Sequence, residues 1–253
     1  MNVLQKTRHQ AARGLTLIEL VVVLAILVAL VGLVLAFFPG LLGRASRSTS
    51  ASSIQDIARA VQINYTTALT YGNNYDSILN TGGAALYSKL PAAAAAQMAR
   101  NATLTADDMA ALAALGITQV HNLNNTIAND ATFNVTEAAA VVLAANTPLA
   151  TITDANVQLA LRGNYTPAAG PVYVVLGLNK LATIVGGGRM LQDAPVRAGA
   201  NANENPTTSY QRYGLVFLID GATTRTARFV GACAFTSAGI STAEGDLQGY
   251  YSN

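Results

Sequence analysis

Cysteine, histidine and charge are all scarce in this chain of 253 residues. Its one cysteine, Cys233, excludes an internal disulfide and any multi-thiol metal cluster. It lies in an apolar alternating stretch and reads as a buried core thiol. Of the two histidines, His9 falls in a polar N-terminal segment and His121 in an Asn-rich stretch. Neither is promising material for a metal site or for histidine acid/base chemistry. Charged residues make up 11% and the net charge is +2. A nucleic-acid interface needs a clustered basic face, and no clear site of that kind is legible. Gly186-Gly187-Gly188-Arg189 lacks the Lys-Ser/Thr of a phosphate loop and reads as a flexible turn. Asp107-Asp108 reads as a helix first turn that suits the helix dipole. The expectation is a chain with no catalytic residues and no cofactor, and hence not an enzyme.

What the chain has instead is apolar surface: 51% of it is hydrophobic, much of it alanine or one long run near the start. Residues 1–14 are polar and carry Lys6, Arg8 and Arg13. Residues 15–42 are apolar except for Thr16 and Glu19. As a helix, those roughly 28 residues would reach about 42 Å, enough to cross a hydrocarbon core of about 30 Å. Cations precede the run and also follow it at Arg44 and Arg47, so the charge bias only slightly favours a cytoplasmic N-terminus. An ordinary secretory signal has a shorter apolar stretch followed by a small-residue cleavage site. Here the small residue, Gly14, comes first. That order suits cleavage on the cytoplasmic side, which leaves the apolar helix on the mature chain.

Glu19 needs a reason, because a carboxylate inside an apolar helix is costly near the bilayer centre and less so near the interface. One reading has it reach back to the headgroups. The other uses the amine that cleavage after Gly14 would free on Leu15, about one helical turn away. Glu19 can pair with that amine, or with the amine of a neighbouring staggered helix. In low dielectric such a pair sets register, because either charge left alone is costly.

The stretch Arg13-Gly14-Leu15-Thr16-Leu17-Ile18-Glu19-Leu20, with the apolar residues that continue it to Leu27, resembles the prepilin signature of type IV pilins and type II secretion pseudopilins. The resemblance covers about 15 residues. It implies that a prepilin peptidase cuts after Gly14, that Leu15 becomes the N-methylated terminus, and that Glu19 is the assembly carboxylate. It also implies a single-pass protein of the inner (cytoplasmic) membrane, with its head periplasmic or extracellular in the filament. The partners implied are the peptidase, other pilin or pseudopilin subunits, an inner-membrane assembly platform and the lipid bilayer. Two departures stand out. Leu15 occupies a place where phenylalanine is commoner, and Pro39 lies later than the proline of many pilins. The C-terminal disulfide loop of many pilins is absent with a single cysteine. Some pseudopilins bind calcium in a C-terminal acidic loop, which makes Glu244 and Asp246 weak candidates, although two carboxylates are few for that ion.

Beyond the exit from lipid at residues 46–50, Ile54, Ile57, Ala58, Val61, Tyr65, Ala68 and Leu69 recur at helical spacing. The spacing predicts an amphipathic helix over 43–72, ended by Gly72-Asn73-Asn74, with Pro39-Gly40 kinking or loosening the helix before it. Residues 73–170 read as an Ala-rich helical insertion. Helices are expected at 84–89, at 92–100 after Pro91, at 105–115 capped by Thr105, from Asn134 or Thr136 to 145, and from Thr153 or Asp154 to Gly163. Residues 171–253 carry strand patterns at 171–178, 213–220 and 226–235, with a hairpin through Asp220-Gly221. Imperfect alternation in the first two suggests central strands covered on both faces, with the 73–170 insertion as the candidate for the second cover. The fold class expected is α+β: a long N-terminal helix, transmembrane then amphipathic, packed on a small antiparallel sheet head with the helical insertion. The functional expectation is a structural subunit of a pilus or pseudopilus. The alternative is a minor pilin whose head binds DNA, a surface or a secreted substrate.

Overall fold

A computed structural model describes residues 17–124, 135–197, 199 and 204–246, apart from the side chains of residues 35–42. The chain divides into two units, Met1–Leu42 and Gly43–Asn253. Helix α1 (Leu17–Ala68) begins in the first unit and continues into the second. The helix runs on through Pro39 and Gly40.

In the first unit every residue from Leu17 to Val34 is exposed, on all sides of the helix. A helix that is apolar all round has no place in water unless something covers it. By length and composition this segment can cross a membrane.

In the second unit, α1 continues as an amphipathic helix. Ala51, Ile54, Ile57 and Val61 are buried, while Gln55, Asp56, Arg59 and Gln62 face out. Each buried Ile or Val contributes about 1.5–3 kcal/mol by leaving water. The helix ends at Ala68, a few residues before Gly72. Leu69 adopts a left-handed conformation with φ 57°, and the Asn64 side-chain amide donates to the Thr70 carbonyl at 2.8 Å.

The rest of the unit is built on one large sheet. Its strands are β1 (Tyr75–Asn80), β2 (Met98–Asn101), β3 (Gln119–Leu123), β4 (Glu137–Val142) and β5 (Leu149–Ile152), then β6 (Val172–Gly177), β7 (Gly214–Asp220), β8 (Thr226–Thr236) and β9 (Gly239–Ser241). The main order is β4-β3-β1-β6-β7-β8-β9, with β5 beside β6 and β2 beside β5. β1 and β3 pair parallel and the other ladders are antiparallel. Three short helices, α2 (Ala92–Ala96), α3 (Ala106–Ala114) and α4 (Ala155–Arg162), join them.

The α+β class is as expected, but the sheet is large rather than small, and residues 73–170 supply five of its nine strands. The segment expected as a helix from Thr136 to 145 is β4, paired with β3, while Asn134 lies outside the described residues. Residues 84–89 are also not helical, because Tyr87 N–H bonds the Ile78 carbonyl across the turn at Gly82-Gly83. The helix after Pro91 stops at Ala96, and residues 98–101 pair with β5 instead. Alanine favours a helix only weakly as a prior, and ladder pairing with a distant strand overrides it.

Two helices form where their caps predicted. Thr105 and Asp108 make a reciprocal capping box at the start of α3. Asp154 accepts from the backbone of Asn156 and Val157 at the start of α4. In the β7–β8 hairpin Gly221 has φ +117°, and an added Cβ would meet the Thr224 carbonyl at 2.1 Å, so only glycine fits.

β7 is buried along its whole length, and its side chains alternate between two cores. Leu215, Phe217 and Ile219 pack with Ile54, Ile57 and Val61 of α1 and with Met109 and Leu112 of α3. Val216 and Leu218 pack with Tyr87, Ala94, Val157, Leu161 and Tyr210. The second cover comes mostly from residues 87–161, and this is why β6 and β7 read as continuous apolar runs. Cys233 is fully buried in the second core, where burial pushes its thiol up to about 12.

Candidate functional site

Gly14 and Leu15, the residues of the expected cleavage and methylation, lie outside the described residues, as does the rest of the 1–14 leader. Glu19 is described. It stands in the first turn of α1, exposed, and is the only ionisable residue between Leu17 and Val34. A carboxylate there suits the helix N-terminus, whose unpaired N–H groups favour negative charge. It also marks one end of a surface that otherwise offers only hydrocarbon.

Glu244 and Asp246 do not share an environment. Glu244 is exposed, whereas Asp246 is 6% exposed and accepts a hydrogen bond from the Ser241 hydroxyl through Oδ1. No group of three His, Cys, Asp or Glu side chains is assembled among the described residues.

Sequence reasoning missed the most concentrated charge in the second unit. Asp76 of β1 is 0% exposed and Arg212, just before β7, is 3% exposed. Arg212 Nη1 donates to Asp76 Oδ2 at 2.8 Å and to Glu137 Oε1 at 2.6 Å, and its Nη2 donates to the Val135 carbonyl at 3.1 Å. The Tyr210 hydroxyl donates to Asp76 Oδ2 at 2.8 Å and Asn179 Nδ2 to Oδ1 at 2.7 Å. Burial holds the Asp76 carboxyl above the usual carboxylate range, although Arg212 pulls the other way. These bonds tie β1, the segment before β7 and the start of β4 into one buried network. One signal was available in advance: Asp76 sits in Tyr-Asp-Ser-Ile-Leu-Asn, and a carboxylate inside an apolar strand needs a buried partner. Its partner is 136 residues away.

A second buried pair joins Arg197 Nη1 to Glu204 Oε2 at 2.7 Å. Glu204 Oε1 also accepts from the Ser237 backbone and hydroxyl, each at 2.8 Å. Burial alone would raise the Glu204 carboxyl; these bonds hold it below its usual range. This pair lines a cavity of about 300 Å³ together with Ser46, Arg47 and Asp246.

Fold and residues define a class: an α+β chain with, among the described residues, one N-terminal helix long and apolar enough to cross a membrane. Comparison with known proteins adds no family, since no family model, curated protein or solved structure matches the chain.

Proposed function

We propose that the chain is a structural subunit of a type IV pilus or type II secretion pseudopilus. In this reading a prepilin peptidase cuts between Gly14 and Leu15 on the cytoplasmic side, and the mature subunit waits in the inner membrane as a single-pass protein. Assembly then moves it from lipid into a filament, where the Leu17–Val34 segments of neighbouring copies replace lipid around one another. The observation that carries the reading is that exposed apolar segment with one carboxylate in its first turn. It is joined to a head whose own core the same helix completes through Ile54, Ile57 and Val61.

The physical role of Glu19 follows. In water a carboxylate and an amine gain little by pairing, but in a helix bundle each is costly alone. A subunit entering the filament with Glu19 opposite the Leu15 amine of a neighbour has one favoured axial register. Glu19→Ala is therefore expected to reduce recovery in sheared filaments several-fold, with membrane insertion unchanged. Incorporation equal to wild type would remove the pairing role.

A further inference from the structure

Triplets of the form Asn-x-Thr begin at Asn64, Asn101, Asn124, Asn134 and Asn164, none with proline in the middle. Such a triplet is the acceptor sequence for N-linked sugar. Those at Asn124 and Asn134 include residues outside the described ones. The structure separates the other three. Asn64 lies within α1, where its amide nitrogen donates to the Thr70 carbonyl at 2.8 Å and the Thr66 hydroxyl turns to the Ile63 carbonyl. In Asn164-Tyr165-Thr166 no bond joins the asparagine to the threonine among the described residues. Its middle residue is held in place, the Tyr165 hydroxyl on Asp220 and its ring under Arg228.

Asn101 differs. It is the last residue of β2, opposite Leu149 of β5, and is half-buried, while Thr103 beyond it is exposed. The Thr103 backbone N–H donates to Asn101 Oδ1 at 2.9 Å, and the Thr103 hydroxyl donates to the same oxygen at 3.0 Å. The side chain is thus folded back on the chain with its nitrogen left over. That Nδ2 makes no hydrogen bond among the described residues and is not one of the polar atoms sealed from solvent. Hydrogen bonds to an amide oxygen stabilise the charge it gains when the nitrogen loses a proton, so they ease that loss. The same two bonds, at 3.0 and 2.9 Å, recur in Asn205-Pro206-Thr207, but proline in the middle disqualifies that triplet as an acceptor.

We propose that Asn101 is an N-glycosylation site whose co-substrate is a glycan carried on a polyprenyl pyrophosphate, transferred by a membrane transferase. Asn101 Nδ2 bonds to the anomeric carbon of the sugar as the bond from that carbon to the pyrophosphate oxygen breaks. The pyrophosphate leaves with the electron pair, and one Nδ2 proton passes to a base of the transferase. The assignment rests on the proposed placement of the head outside the cytoplasm.

The test is mass spectrometry of the full-length protein recovered from its native membrane, intact and as fragmented peptides. A sugar mass is expected on Asn101 and on neither Asn64 nor Asn205. Asn101→Gln and Thr103→Ala are each expected to lose it. Thr103→Ser, which keeps the hydroxyl, is expected to retain it and shows that loss in the other two is not a failure to fold. A bare Asn101 in the wild type, sugar on Asn164 in its place, or undiminished sugar in Thr103→Ala overturns the assignment. Bare Asn101 on a chain that begins at Leu15 overturns this site alone. Sugar on Asn101 of a chain that still begins at Met1 overturns the filament reading and leaves the site standing.

Discussion

Replacing Arg212 by methionine removes the cation that pairs with both Asp76 and Glu137 and keeps most of the side-chain volume. Asp76 is 0% exposed, so it cannot turn to water for compensation. Removing one partner of a buried ion pair costs about 3–5 kcal/mol, because the other charge stays buried. At about 2–4 °C per kcal/mol for a domain of 150–250 residues, the melting temperature should fall by roughly 6–20 °C. The assay is thermal unfolding of the full-length chain in detergent, followed by circular dichroism across pH. The sign of the pH effect is fixed. The Asp76 carboxyl is already raised by burial, and losing Arg212 raises it further. A carboxyl raised in the folded state contributes fully below the unfolded range and loses that contribution as pH climbs through its folded value. The deficit of Arg212→Met should therefore be largest at neutral pH and shrink in acid. Adding Asp76→Asn should restore part of the loss. A deficit under about 1 kcal/mol, or one that does not change with pH, would refute the reasoning.

Asp108, Glu204 and Asp220 behave oppositely. Burial raises each, but hydrogen bonds from Thr105, Ser237 and Ala168 respectively, with Arg225, Arg197 and Tyr165, hold their carboxyls below the usual range. Their contribution is present above the unfolded carboxylate range and is lost as pH falls through their folded values. Wild-type melting temperature should therefore drop between pH 5 and pH 3, and an acid-stable melting point would contradict it. At Gly177 an added Cβ would meet the Tyr210 hydroxyl at 1.8 Å and Asp76 Cβ at 2.9 Å. Gly177→Ala should cost about 1–3 kcal/mol by overpacking, read from denaturant unfolding; a neutral substitution would show that Tyr210 is free to move.

The parts legible in the sequence were those set by neighbours within a few residues. The apolar run, the capping residues Thr105 and Asp154, and the three strands after residue 171 all carry local signals: periodicity, a cap, a turn glycine. β4 and β2 carried none. Residues 137–142 read Glu-Ala-Ala-Ala-Val-Val, as fit for a helix as for a strand, and only pairing with β3 decides between them. The short strand at 98–101 likewise depends on β5, some fifty residues on. The ion cluster was hidden for the same reason, since Asp76, Glu137 and Arg212 meet only once the sheet has formed. The second cover over β6 and β7 was foreshadowed by their unbroken apolar runs, and residues 73–170 supply most of it, although through strands as well as helices.

Mass spectrometry of the intact protein recovered from its native membrane tests the central claim most directly. The proposed function predicts a chain that begins at Leu15, carries one added methyl group on its amine, and retains the whole apolar run. A chain that still begins at Met1, or one cut after the apolar run, would contradict it.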